Sequence, residues 1–296
     1  MFVHAGSISL DIKSVVRVDS ALMYLDVKRS GDERMWNPAT YLQFATERAR
    51  PFFDLLTRVQ ADSPDYVVDL GCGPGNLTAV LAARWPAAHV LGVDNSAAMI
   101  ETARAEAAGS GQPGQPARRL AFVQADIRDW RPGQPVDVLT CNAVLQWVPG
   151  HLRLLTTWAS WLAPGGWLAF QLPGNFDQPS HTIMRELAAS ARWQPLLRGV
   201  QLNRQAGEPA SYLGVLAAAG CEVDAWETTY LHVLPGDDAV LNWYKGSGLR
   251  PVLAALTQEQ GTEFSAEYGE RLRAAYPPAA YGTVLPFRRV FVVARR

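Results

Sequence analysis

The chain has 296 residues, of which 48% are hydrophobic and 19% charged, and its formal net charge is −1. This composition is typical of a globular protein with one elaborated domain or two smaller ones, and the near-zero charge argues against nucleic acid or an anionic membrane as a partner. The three cysteines have neither disulfide nor metal-site spacing, so we expect no bound metal. The sequence shows no apolar run of membrane-spanning length and no signal-peptide pattern, so we expect a cytoplasmic protein. We expect a monomer.

The amino-terminal region divides near residue 35. Residues 1–34 mix short β-branched runs with a polar stretch, so we expect a poorly ordered extension. The ordered chain is expected to begin with a helix that Asn37 caps and in which Pro38 takes the first position. Pro51 is expected to end that helix, and a second helix over residues 52–59 is expected to bury Phe52, Phe53, Leu55, Leu56 and Val59.

Between residues 66 and 172, short apolar runs alternate with helical patterns. The predicted strands are residues 66–70, 90–93, 120–123, 136–141 and 167–172. The predicted helices between them are residues 76–84, 96–108 and 151–162, and Pro164-Gly165-Gly166 predicts a turn. Apolar strands separated by helices indicate a parallel sheet covered on both faces.

The pattern changes after Pro173. Helical stretches are predicted at residues 180–191, 207–219 and over much of 237–276, and strands at residues 221–233 and 288–294. The chain is therefore predicted to be an α/β protein with a Rossmann-like, doubly wound sheet of seven strands, mostly parallel with an antiparallel C-terminal strand. Residues 35–175 and 283–296 would form its core. Residues 176–282 would form a helical lid that contains one core strand, around residues 221–233.

A glycine turn follows the first strand, in the stretch YVVDLGCGPGN. Asp69 lies near the end of the strand, and Gly71, Gly73 and Gly75 come at alternate positions. A dinucleotide-binding turn would need its third glycine one place later, where Asn76 stands. A carboxylate beside the turn would also repel a pyrophosphate and attract a cation. S-adenosylmethionine carries an ammonium and a sulfonium and has no phosphate, so the charge favours this cofactor.

The ends of the later strands carry polar residues suited to the rest of such a cofactor. Asp94, followed by Asn95, is placed to accept hydrogen bonds from the ribose hydroxyls. Asp126 would accept from the adenine amino group, and Ile127 would contact the ring. Asn142 would lie near the methionyl end. All these strand ends meet in the crevice where open α/β sheets bind ligands.

Each of these acids has a structural alternative. Asp69 could be a capping residue beside a helix, Asp94 a solvated loop acid and Asp126 a turn residue. Their occurrence on successive strand ends favours the ligand interpretation. Cys72 and Cys141 are interpreted as packing residues, because no base is evident nearby to activate either thiol.

Residues 66–172 resemble the class I S-adenosylmethionine-dependent methyltransferases. The stretches WNPATYLQFATERARPF, NAVLQWVPGH, QLPGNFDQPSHTIMRELA, AAGCEVDAWETTYLH and PFRRVFVVAR narrow this resemblance to the trans-aconitate 2-methyltransferase family, over residues 35–296. The resemblance implies methyl transfer from S-adenosylmethionine to a carboxylate of trans-aconitate, a small polycarboxylate, with a monomethyl ester as product. A carboxylate is already ionised at neutral pH, with a pKa of about 4, so no general base, catalytic triad or metal is expected.

The substrate is then expected to be positioned by cationic and polar side chains. The candidates are Tyr41, Arg48, Gln146, Trp147, His181, Tyr230 and Arg288, together with His232 and Arg289. The alternatives are a surface ion pair for Arg48, a core position for Trp147 and a solvent-facing helix position for His181. Acidic residues outnumber basic ones between residues 176 and 282, so attraction of the anionic substrate would have to be local.

Three other functions compete with this prediction. The first is a methyltransferase for another small or carrier-linked carboxylic acid. The second is a nicotinamide-dependent oxidoreductase, against which Asp69 and Asn76 argue. The third is a protein that binds S-adenosylmethionine as a sensor without turnover.

Overall fold

A computed structural model describes residues 45–109, 119–202 and 206–296. The predicted extension over residues 1–34, the helix start at Asn37 and the candidate Tyr41 therefore lie outside the described residues. The side chain of Arg48 also lies outside them, although its backbone belongs to a helix.

Seven strands form one sheet in the order β3-β2-β1-β4-β5-β7-β6. They are β1 (Tyr66–Leu70), β2 (His89–Asp94), β3 (Leu120–Gln124), β4 (Val136–Asn142), β5 (Leu162–Pro173), β6 (Glu222–Leu234) and β7 (Thr283–Arg295). The first five strands pair in parallel, and β7 runs antiparallel between β5 and β6. The prediction of a seven-stranded, mostly parallel sheet with an antiparallel C-terminal strand is confirmed.

The described helices connect and cover these strands. They are α1 (Ala45–Leu56), α2 (Asn76–Arg84), α3 (Ala97–Gly109), α4 (Leu152–Trp161), α5 (Pro179–Ala188), α6 (Pro209–Ala218), α7 (Ala239–Lys245), α8 (Arg250–Ala255) and α9 (Gln258–Ala275). A short 3₁₀ helix, Leu145–Trp147, follows β4.

The two faces of the sheet are buried by different helices. On one face, Phe52 and Leu55 of α1 pack with Leu81 of α2 against Val67 and Phe291 of the sheet. On the other face, α4 and α6 contribute side chains such as Trp158 and Tyr212. Burial on both sides explains why the central strands, such as β1 and β4, are almost continuously apolar in sequence.

A separate cluster of buried residues lies beside the carboxyl end of β6. Side chains of α5, α7, α8 and α9, such as Met184, Trp243 and Phe264, pack there with Leu234 of β6 and Leu285 of β7. These helices belong to the segment predicted as a lid. Its division from the core stays a prediction.

The amino-terminal helix differs from the prediction. Pro51 does not end it, because α1 continues from Ala45 through Pro51 to Leu56. A proline in a helix costs about 3 kcal/mol, and complete burial of Phe52 and Leu55 contributes about 1.5–3 kcal/mol for each side chain. Burial therefore offsets the lost backbone hydrogen bond. Phe53, expected in the core, is instead 39% exposed.

The predicted turn at residues 164–166 also differs. These residues lie within β5, where the pairing with β4 is irregular between Val136 and Val138. A Cβ on Gly166 would come within 2.8 Å of the Val136 carbonyl oxygen, so glycine allows the two backbones to approach. The segment lies between the paired residues Leu162 and Trp167, and its glycines exchange backbone hydrogen bonds with Arg296, so it forms an irregular start to the strand.

None of the described helices combines the length and the apolar composition that a membrane-spanning segment needs. The part of the chain that the structure describes contains no group of three or more His, Cys, Asp or Glu side chains placed to hold a metal ion.

Candidate active site

The carboxyl ends of β1, β2, β4 and β5 lie at the same edge of the sheet, because these strands are parallel. The glycine turn and most of the candidate residues follow these ends. The sequence of strands thus assembles the candidate site at one edge, as expected for an open α/β sheet.

The glycine turn is fixed to β2 by its backbone. The amides of Gly71 and Cys72 both donate to the carbonyl of Val93, at 2.7 and 3.0 Å. Gly71, Gly73 and Gly75 all have positive φ angles, of 74°, 55° and 84°, which side-chain-bearing residues rarely adopt. A Cβ on Gly71 would meet Val144 and one on Gly75 would meet Phe122, whereas a Cβ on Gly73 would meet nothing within 4 Å. Gly73 therefore faces open space.

Asp69 is buried beneath this turn and is 2% exposed. Its carboxylate accepts hydrogen bonds from the Thr78 hydroxyl at 2.7 Å and the Thr140 hydroxyl at 3.0 Å. Burial raises the pKa of Asp69 to about 6, although the two hydroxyls oppose this shift. The carboxylate is thus a buried, mostly ionised group at neutral pH that joins β1 to α2 and β4.

Asp94 organises the turn from the end of β2. One carboxylate oxygen accepts from the Gly73 amide and the other from the Ser96 amide, each at 2.9 Å. Each carboxylate oxygen has a second acceptor site, so Asp94 retains capacity for further donors. Asn95 is exposed.

The end of β3 differs in detail from the adenine site predicted there. Asp126 accepts two side-chain hydrogen bonds from Arg128, at 2.9 and 2.6 Å, and these bonds lower its pKa. Ile127 is buried in the main core. The carboxylate thus already pairs with a guanidinium, and the apolar residue packs inward. The role of both residues towards adenine stays a prediction.

At the end of β4, Asn142 is tied to the neighbouring strand. Its Oδ1 accepts a 2.5 Å hydrogen bond from Nε2 of Gln171 on β5. The next residue, Ala143, has a φ of 55°, and its carbonyl accepts from Nε2 of Gln146 at 2.6 Å. The buried Oε1 of Gln146 has no hydrogen-bond partner among the described residues. Gln171 was not among the residues predicted for the site.

The aromatic and histidine candidates separate into two environments. Trp147 is 53% exposed, so the alternative interpretation, in which it packs in the core, is wrong. His181 is buried, with its ring edge-on to Phe176 and Tyr244, so its alternative as a solvent-facing residue is also wrong.

Tyr230 and His232 share a buried face of β6, as their alternation predicts, and their rings stack with centroids 6.0 Å apart. The Tyr230 hydroxyl donates a 2.6 Å hydrogen bond to Asp54 of α1. Burial, followed by this carboxylate, raises the pKa of Tyr230. Tyr230 therefore serves at least to join β6 to α1.

The two adjacent arginines of β7 have different surroundings. Arg288 forms ion pairs with Glu208 and Glu227, at 2.6 and 2.5 Å, so two acidic side chains compensate its charge, and its role towards a substrate stays a prediction. Arg289 is 5% exposed, and its Nη1 donates to Oε1 of Gln171 at 3.2 Å. It therefore contacts the same amide that contacts Asn142.

Several polar residues that the sequence analysis missed lie behind His181. Asn175 Nδ2 donates to the Tyr244 hydroxyl at 3.0 Å, and that hydroxyl also lies 2.8 Å from the Ser180 hydroxyl. All three residues are buried. The signal for Asn175 was its position two residues after β5, at the edge of the sheet where Asn142 ends β4.

Comparison with known proteins agrees with this architecture. Residues 67–166 match the family model described as a methyltransferase domain. Among solved structures, the chain is similar to a phosphoethanolamine N-methyltransferase 2 of Haemonchus contortus, with a TM-score of 0.52, 14% identity and coverage of 83% of this chain and 52% of that one. It is also similar to a geranyl diphosphate methyltransferase, with a TM-score of 0.51, 17% identity and coverage of 87% and 82%. These similarities show the fold.

Curated relatives are much more similar in sequence. The trans-aconitate 2-methyltransferase of Streptomyces avermitilis is 53% identical over 264 residues, which are 88% of this chain and 97% of that protein. The trans-aconitate 2-methyltransferase of Streptomyces coelicolor is 55% identical over 267 residues, 88% of this chain and 86% of that protein. With this identity over nearly the full length of its relatives, and with the methyltransferase fold, the chain belongs to the trans-aconitate 2-methyltransferase family of S-adenosylmethionine-dependent methyltransferases.

Proposed function

We propose that this protein transfers a methyl group from S-adenosylmethionine to a carboxylate oxygen of trans-aconitate and releases the monomethyl ester. The observation that carries the proposal is the identity of more than half of the aligned residues to relatives named for this activity, over 97% of one of them. The site at the ends of the parallel strands supports it.

The residues of the glycine turn fit the proposed cofactor. The open space beside Gly73 allows a ligand to approach the backbone closely. The buried carboxylate of Asp69 places negative charge beneath the turn, which favours a cationic ligand. In this proposal the cofactor is held by Asp69, Gly71, Gly73, Gly75, Asp94, Asn95, Asp126, Ile127 and Asn142, with Asp94 accepting from the ribose hydroxyls.

When bound, S-adenosylmethionine supplies a methyl group carried on a positively charged sulfur. The chain's own task is to hold one substrate carboxylate in line with that methyl group and to exclude water. A carboxylate oxygen held in this way would accept the methyl group directly, with the electron pair of the broken carbon–sulfur bond left on the sulfur. No proton moves, so positioning replaces acid–base chemistry. In favourable cases positioning lowers a barrier by about 7–11 kcal/mol.

Transfer of labelled methyl groups tests the proposal. The enzyme is incubated with methyl-tritiated S-adenosylmethionine and a panel of mono-, di- and tricarboxylic acids, and the product is treated with alkali, which releases methanol from a methyl ester. We expect base-labile label with trans-aconitate at the highest kcat/KM of the panel. A higher kcat/KM for another acid would support the alternative, a methyltransferase for a different small or carrier-linked acid. Cofactor binding without transfer to any acid would support a sensor.

A further inference from the structure

Asp69, Asn142, Gln171 and Arg289 lie on one face of the sheet. Side chains alternate along a strand, so residues an even number of positions apart share a face. Each of the four residues has such a neighbour in the core beneath α1, in the same order Val67, Val138, Ala169 and Phe291. These four polar side chains therefore lie on the α1 side of four neighbouring strands. Three of them come from the carboxyl ends of β1, β4 and β5, where the cofactor is proposed to bind.

Arg289 is connected along this row to the end of β4. Its guanidinium donates to Oε1 of Gln171 at 3.2 Å, and Nε2 of Gln171 donates to Oδ1 of Asn142 at 2.5 Å. The orientation of the Gln171 amide is fixed by these two bonds, because its oxygen accepts and its nitrogen donates. Gln171 thus sets the guanidinium at a defined position relative to Asn142.

The positive charge of Arg289 also affects two buried tyrosines, Tyr230 and Tyr244. Burial raises the pKa values of Tyr230 and Tyr244, and Arg289 opposes both shifts. Tyr244 binds Asn175, which is 1% exposed and whose Oδ1 has no hydrogen-bond partner among the described residues. A buried polar atom without a partner is costly. Rotation of the amide would let Tyr244 donate to the oxygen and would present the N–H₂ group to an anionic ligand.

We propose that Arg289 binds a substrate carboxylate that is not the one methylated, and that Gln171 positions its guanidinium for this purpose. The inference rests on the proposed function and deepens it. The planar guanidinium suits bidentate capture of a carboxylate. Such capture would withdraw electron density from the oxygens, so the bound carboxylate would be a poor nucleophile and serves instead as the anchor. Arg289 thereby selects polycarboxylates.

Binding to the complex with S-adenosylhomocysteine tests this without turnover. Calorimetry would measure the Kd of trans-aconitate for the wild-type complex and for Arg289→Gln, and a separate titration would measure the Kd of S-adenosylhomocysteine. We expect Arg289→Gln to weaken trans-aconitate about 100-fold, the range for loss of one partner of a buried charged pair, with little change for the cofactor product. Arg289→Lys, which keeps the charge and loses the fork, should weaken it about tenfold.

Two further variants keep the test decisive. Gln171→Glu retains the guanidinium and gives it a carboxylate partner, so it should fold even if Arg289→Gln does not, and it should weaken trans-aconitate by about tenfold or more because the new carboxylate competes. The matched control is Arg58→Gln, which removes an exposed guanidinium paired with Asp224 and should change the Kd less than about threefold.

The failures of the two proposals are distinguishable. A wild-type complex that does not bind or methylate trans-aconitate overturns the proposed function. A wild-type complex that binds it while Gln171→Glu or a folded Arg289→Gln binds it equally well overturns the role of Arg289 alone, as does an effect confined to Arg58→Gln.

Discussion

The Thr78 hydroxyl donates a 2.7 Å hydrogen bond to the carboxylate of Asp69 beneath the glycine turn. The bond joins the first helix after the turn to the strand before it. Together with the Thr140 hydroxyl, it partly compensates for the burial that raises the pKa of Asp69 to about 6. Asp69 is therefore held in a state that costs folding free energy at neutral pH.

This arrangement predicts a pH-dependent stability. Because the folded-state pKa lies above the unfolded value of 3.8, the folded protein binds more protons between these values, and stability falls as pH rises from about 4 to about 6. The difference of about two pKa units corresponds to on the order of 3 kcal/mol. Denaturant unfolding of wild type and Asp69→Asn across pH 4–7 measures it. The variant should gain on the wild type as pH rises, and equal slopes would contradict the assignment.

The cofactor affinity should depend on Asp94. Asp94→Ala removes the acceptors for the amides of Gly73 and Ser96 and the proposed acceptor for the ribose hydroxyls, so we expect the Kd of S-adenosylmethionine to rise by about tenfold or more. Asp137→Ala is the matched control, because Asp137 accepts from the amides of Asp65 and Tyr66, both at 2.9 Å, at the opposite edge of the sheet. Its loss should lower Tm and leave the Kd unchanged. An unchanged Kd in Asp94→Ala would remove the ribose assignment.

A methyl group on Gly73 should affect binding more than folding. Gly73 and Gly220 have positive φ angles of 55° and 86°, and a Cβ on either would meet nothing within 4 Å. Gly73→Ala and Gly220→Ala should therefore each cost about 1–2 kcal/mol of stability. Gly220 precedes β6 at the far edge of the sheet, so only Gly73→Ala should raise the Kd of S-adenosylmethionine. Equal affinities in the two variants would place the cofactor elsewhere.

A negative charge beside Tyr244 should oppose substrate binding. Asn175→Asp replaces the amide of a buried side chain with a carboxyl group. Because a carboxylate there would repel an anionic substrate, we expect the KM for trans-aconitate to rise by about tenfold or more while the cofactor Kd stays constant. Steady-state kinetics with saturating S-adenosylmethionine measures the effect. Asp177→Asn, two residues further along the chain, is a charge-changing control that should leave KM unaltered. A KM that is the same in Asn175→Asp and wild type would exclude Asn175 from the substrate pocket.

The sheet could be predicted from sequence because its central strands are buried on both faces and most of its strands are separated by clear helical patterns. The positions of Asp69, Asp94 and Asn142 followed from the same rule, since each lies at or near the carboxyl end of a parallel strand. The path of α1 through Pro51 could not be predicted. Local preference opposes it, and only packing of Phe52 and Leu55 against the sheet makes it favourable.

The choice between Arg288 and Arg289 shows a second limit of prediction from the sequence. Adjacent residues of a strand lie on opposite faces, but β7 is almost uniformly apolar after these two arginines, so its sequence does not indicate which face holds the site. Which arginine faces the candidate site depends on the register between β7 and β6, which pairs Thr229 with Arg288 and Thr228 with Arg289. Gln171 was missed for the same reason, because a lone polar residue in an apolar strand has no local signature of its partners.

The place of β7 between β5 and β6 has a consequence for biosynthesis. β7 is the last of the seven strands in chain order, yet it fills an interior slot and carries Arg289. As the chain emerges from the ribosome, β6 can join the sheet only after β7 arrives, and until then both β5 and β6 expose unpaired edges. Acquisition of the substrate anchor and closure of the sheet are thus a single late event, so a nascent protein should gain cofactor binding before it gains affinity for its acid.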